Sequence, residues 1–143
     1  MSVAEFLTQV ERLLQRGDAT EHSYRAALEA LLTAHLAADV LNEPKHTAVG
    51  APDFKITQRT IPIGHLEAKD PNSSKLSQWI THSEQDTPRS SEGTQLKRYR
   101  ANLPNLLYTD GLEWHWFVNG EPRLDAPIQL GTWNKRTKKL TRA

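Results

Sequence analysis

Apolar residues in the first forty positions recur every three or four residues. Phe6, Leu7, Val10, Leu13 and Leu14 predict a helix over residues 2 to 16, ended by Gly17 and Asp18. Thr20 is a suitable N-cap for a second helix running to about residue 39. Its apolar stripe is Tyr24, Ala27, Leu28, Leu31, Leu32 and Leu36. The period then changes. A connection over residues 42 to 51 feeds a segment in which Phe54 and Ile56 alternate with Asp53, Lys55 and Thr57, as in a strand ending near residue 57. After a turn at Thr57-Gln58-Arg59, residues 61 to 69 read as a second strand. Pro62 lies near its start, where a missing donor is tolerated. An antiparallel hairpin is the simplest pairing.

Residues 70 to 93 are rich in Ser, Pro, Asp and Gln and predict a long mobile connection with a short helix at Leu76 to His82, anchored by Trp79 and Ile80. The run SEGTQLKRYRANL predicts a helix capped by Ser90 or Ser91, with Leu96, Tyr99 and Leu103 inward and Pro104 as its stop. Asp110-Gly111 and Asn119-Gly120 mark turns. They imply a strand at 105 to 109 paired with one at 112 to 118, with Trp114, Trp116 and Val118 on one side. A further short piece is expected near Ile128. The predicted class is α/β: a small central mixed sheet flanked by helices.

The composition narrows the possibilities. The chain has 143 residues, 37% hydrophobic and 24% charged, which suits one folded domain with a modest core. A net charge of +1 says little about partners, but Lys97, Arg98 and Arg100 share one segment, and a basic cluster crowds the end of the chain. There are no cysteines, so disulfides and thiolate metal sites are excluded. The opening MSVAEFLTQVERLL lacks the apolar stretch of a signal peptide. No run approaches the ~20 apolar residues of a spanning helix. A cytoplasmic protein without membrane contact is expected, and the abrupt basic ending suggests one domain (residues 1–143) of a longer polypeptide.

The charges inside the hairpin then need a reason. Burying an unpaired carboxylate or ammonium is costly. Along a strand, Glu67 and Lys69 share one face, and Asp53 on the neighbouring strand can lie across from Glu67. Two carboxylates side by side suit a hard cation such as Mg²⁺. Such an ion stabilises charge on a phosphodiester and acidifies bound water, and Lys69 can orient that water or neutralise the phosphate. The set reads as a metal-dependent phosphodiesterase site. Each residue also has a plainer use: Glu67 and Lys69 as an exposed cross-strand pair, Tyr99 as core, Glu21 as a first-turn acid or a partner of Arg25 four residues on. The six histidines contain no His-x-x-x-His pair, and no Gly-rich phosphate loop or serine elbow is present.

Pro52-Asp53 followed by Glu67-Ala68-Lys69 resembles the PD-(D/E)XK nuclease motif. The Gln95-x-x-x-Tyr99 pair resembles that of the RecB-like branch, and the run PNLLYTDGLEWHWF resembles the N-terminal nuclease domain of single-chain restriction–modification enzymes (Type ISP-like). The resemblance spans residues 21 to 99. It implies a restriction-endonuclease-like core. It also implies Asp53 and Glu67 as metal ligands with the Ala68 carbonyl, Lys69 as activator, Glu21 as an assisting acid, and Gln95 and Tyr99 shaping the site, with Tyr99 at the DNA backbone.

The expected function is Mg²⁺-dependent cleavage of double-stranded DNA, with Mn²⁺ able to substitute. The chain would be the cleavage module of a restriction–modification or related defence system, with methyltransferase and target-recognition domains elsewhere in the same chain or complex. Ser73, Ser74, Lys75, Lys97, Arg98 and Arg100 are the expected DNA-binding phosphate contacts. Two rivals are a repair exonuclease or junction resolvase of the same fold, and an inactive DNA-binding or assembly module.

Overall fold

The computed structural model describes residues 1–42 and 50–143. Helix α1 spans Val3–Arg16; the Ser2 hydroxyl accepts from Glu5 N at 3.1 Å, satisfying one of the free donors of the first turn. Helix α2 spans Glu21–His35. Their stripes, including Phe6, Val10, Leu28 and Leu32, are buried together with Phe54, Leu66 and Ala68 of the sheet. Burial of each large side chain in this cluster contributes about 1.5–3 kcal/mol of transfer free energy.

The strands are β1 Asp39–Asn42, β2 Phe54–Gln58, β3 Ile61–Ala68, β4 Asn105–Thr109, β5 Glu113–Val118, β6 Glu121–Pro122 and β7 Ile128–Gln129. Among the described residues they form one sheet in the order β1-β2-β3-β4-β5-β6, with β7 also on β5. The sheet is mixed: β3 and β4 run parallel, and every other neighbouring pair is antiparallel. A parallel pair needs a crossover. It is made by α3 (Leu76–Ser83) and α4 (Ser91–Asn102), which cover the other face of the sheet with Leu96, Tyr99, Leu106, Tyr108 and Phe117 in a second core.

Some expectations change, and one falls mostly outside the described residues. The second helix stops at His35, not near residue 39, because Asp39–Asn42 extend to pair with β2, Val40 opposite Ile56. The expected connection over 42 to 51 falls mostly on residues 43–49, outside the described residues, while Asn42 belongs to β1. The basic ending carries strands that the sequence reading did not assign: β8 (Gly131–Asn134) and β9 (Lys139–Arg142) form a second hairpin, and Glu11 of α1 accepts from Leu140 N at 2.7 Å. Within residues 70–93, α3 stands where the short helix was expected, and residues 84–90 link it to α4 without helix. Helix α3 approaches α4 so closely that a Cβ on Gly93 would lie 2.5 Å from His82 Cβ. No helix among the described residues is long and apolar enough to cross a membrane.

Candidate active site

The β2–β3 register assembles the centre. Phe54 pairs with Leu66, so Asp53, one residue earlier, meets Glu67, one residue later. The main chain locks both carboxylates. Asp53 N donates to Glu67 Oε1 at 3.2 Å, and Ala68 N donates to Asp53 Oδ2 at 2.7 Å. Leu66 and Ala68 alternate with Glu67 and point into the apolar core, which turns Glu67 to the opposite face.

The two remaining carboxylate oxygens face cations. Lys69 Nζ lies 3.1 Å from Glu67 Oε2 and donates to Gln95 Oε1 at 2.9 Å. It also sits 5.9 Å from the centroid of the Trp79 ring, within cation–π range. Arg25 Nη2 contacts Asp53 Oδ1 from α2 and reaches Glu21 Oε1 at 3.1 Å. Glu21 is therefore joined to the centre through Arg25.

Asp53 and Glu67 are 5% and 4% exposed, which shapes their chemistry. Burial disfavours the charged form and raises the pKa of Asp53; the Ala68 N–H and Arg25 pull the other way. Glu67 is pushed up to about 7, first by burial and then by the charge of Asp53, against the opposing influence of Lys69. Tyr99 is pushed up to about 12, by burial first and then by Glu67. Its ring and hydroxyl lie against Gly50, whose φ of 116° and lack of a side chain permit the approach: a Cβ there would stand 3.1 Å from Tyr99 Cε1.

Asp53, Glu67, Lys69 and Gln95 thus converge, with Ala68 between the last two motif positions and Tyr99 beside them. The candidate phosphate contacts divide. Ser74, Lys75 and Arg98 are exposed. Ser73 Oγ is buried without a hydrogen-bond partner among the described residues. Lys97 Nζ is drawn onto the carbonyls of Gln85 and Asp86, at 2.6 and 3.0 Å. Arg100 donates to Gly120 O and Ser83 Oγ and stacks 4.3 Å from the Phe117 ring centroid, so its charge is tied into the protein.

Two contributors carried no motif. Arg25 stood out in the sequence only as the i+4 partner of Glu21, and Trp79 only as an apolar anchor. Their contacts with Asp53 and Lys69 depend on where α2 and α3 pack.

Among the described residues, no three Asp, Glu or His side chains converge as a metal-holding group. The donor set is smaller and fits a hard divalent cation: two adjoining carboxylates whose charges disfavour one another. Each carboxylate oxygen already accepts one proton donor but has a second lone pair. Ala68 adds a main-chain carbonyl to the candidate set.

No protein-family model matches this chain, and no curated protein does. Among solved structures it is similar to the cryo-EM structure of a DrdV–DNA complex, with a TM-score of 0.63 and 21% sequence identity. The match covers 89% of this chain and 12% of the DrdV chain. The likeness is one of fold: an α/β arrangement with a central mixed sheet between helices, consistent with a restriction-endonuclease-like core.

Proposed function

We propose that this chain is a metal-dependent deoxyribonuclease of PD-(D/E)XK type, RecB-like branch. It would serve as the cytoplasmic cleavage module of a restriction–modification or related defence system. The observation that carries this reading is the junction of Asp53 with Glu67, with Lys69 held on the same face. The fold likeness to part of a DNA-bound protein, over 12% of that protein's chain, supports a role on DNA and a place in a larger assembly with methyltransferase and target-recognition domains.

Asp53, Glu67 and the Ala68 carbonyl would hold Mg²⁺ or Mn²⁺. Bound there, the ion would supply charge neutralisation for the phosphodiester and a more acidic water. Lys69 is held by Glu67 and Gln95 and flanked by Trp79, so its ammonium has a defined position from which to orient a water or meet a phosphate oxygen. Tyr99 would bound the site toward the DNA backbone. Ser74, Lys75 and Arg98 offer exposed groups for phosphates, which position a duplex without reading its sequence.

The test is nicking and cleavage of supercoiled, linear and branched DNA with millimolar Mg²⁺, against Asp53→Asn. The variant should fall below about a hundredth of the wild-type rate. Cleavage confined to branched DNA would replace the restriction role with a resolvase role. A second reading draws on the near-complete burial of Asp53 and Glu67: a silent module that binds DNA without cutting it. DNA binding with no metal-dependent cutting, unchanged in Asp53→Asn, would establish that reading instead.

A further inference from the structure

Arg25 occupies the place where the proposed site needs a cation. One nitrogen, Nη2, is shared between Asp53, deep in the site, and Glu21, at 3.1 Å on the outside. The Asp53 side chain is 6% exposed and that of Glu21 is 47% exposed. Glu21 lies four residues before Arg25 on α2, so both side chains share one helix face. A guanidinium does not lose its proton in a protein. It can leave Asp53 only by moving. A divalent cation on Asp53 Oδ1 would stand next to Nη2 and repel it. Glu21 keeps a second hold on the same nitrogen, so the guanidinium can withdraw without losing its counter-charge.

We propose that Arg25 is a displaceable counter-ion that covers Asp53 until a divalent cation arrives, then withdraws onto Glu21, and so sets the metal affinity of the site. This rests on the reading of Asp53 and Glu67 as the metal-holding pair. It makes Arg25 a positioning residue, and it recasts Glu21 as the acid that receives Arg25 instead of a ligand.

The experiment is calorimetric titration of the 143-residue chain with Mn²⁺ alone, without DNA, at a pH where Glu67 is ionised. Arg25→Gln removes the competing charge and should bind Mn²⁺ roughly tenfold more tightly than wild type. Glu21→Gln removes the receiving carboxylate and should bind more weakly. Asp53→Asn should abolish binding and identifies the site. Binding that depends on Asp53 but is equal or weaker in Arg25→Gln would overturn the counter-ion role and leave the metal site standing. Absence of Asp53-dependent binding in every chain would remove both. Should Arg25→Gln fail to fold by circular dichroism, the exposed Glu21 position decides: unchanged or tighter binding in Glu21→Gln overturns the proposal.

Discussion

The two faces of the central sheet are built for different work from the same strands. Toward α1 and α2 the sheet presents Phe54, Leu66 and Ala68, which join one apolar cluster with helix residues from Phe6 to Leu32. Toward α3 and α4 the face divides. Leu96, Leu106 and Phe117 fill one part, and Asp53, Glu67 and Lys69 fill the other. Along β3 one residue decides the difference: Leu66 and Ala68 stabilise the fold, while Glu67 between them is buried at a cost. Alternation on a strand lets stability and chemistry sit back to back without sharing a side chain.

The comparison is broken most severely on the apolar side. Phe6→Ala, at a fully buried position, should destabilise the protein by about 3–5 kcal/mol in a denaturant titration. A loss under about 1 kcal/mol would mean that α1 is not part of the cooperative core.

On the charged side the sign reverses. The folded state raises Glu67 from its usual 4.5 to about 7, so between those values the native protein holds a proton that the unfolded chain has released. Stability from this group therefore falls as pH rises through that window. With a chelator present, Glu67→Gln should gain on wild type by on the order of 3 kcal/mol from the bottom of the window to the top, then run parallel above it. A constant gap across the window would show that the carboxyl is not perturbed. In wild type, divalent metal should offset the high-pH loss and raise the melting temperature.

Gly93→Ala sharpens the link between the helices and the site. Its Cβ, 2.5 Å from His82 Cβ, would push α3 off α4 at about 1–3 kcal/mol, and α3 carries Trp79. The smallest effect is expected from Trp79→Leu. Loss of the ring over Lys69 should cost about 0.5–1 kcal/mol and leave the ammonium more mobile by NMR relaxation. Unchanged Lys69 relaxation would mean that Glu67 and Gln95 alone hold it.

Much of the frame was legible because its signals are local. The α1 stripe and the Gly17 stop, the alternation of residues 53 to 57 and 61 to 68, and the Ser90 cap each follow from a few neighbouring residues. Where the signal was not local, the reading slipped. Leu36 continues the helical spacing of Leu28 and Leu32, yet α2 ends before it, because the following residues gain strand partners in β2 that no window around residue 36 contains. The closing hairpin was masked by its charge: the basic run from Lys135 to Lys138 is its turn, flanked by Trp133 and Leu140 packed against the first core.

The candidate site divides in the same way. Spacing alone put Glu67 and Lys69 on one face and allowed Asp53 beside them, since strand period and hairpin pairing follow from the chain's own alternation. Only the tertiary structure decided that Arg25 reaches Asp53, that Trp79 lies by Lys69, that Lys97 and Arg100 turn inward, and that burial lifts Glu67 to about 7. Those outcomes depend on which distant helix lies over the strand ends and how much water it excludes. Charge–charge energies at such a place are set by the surroundings of the pair, which a linear order of residues does not contain.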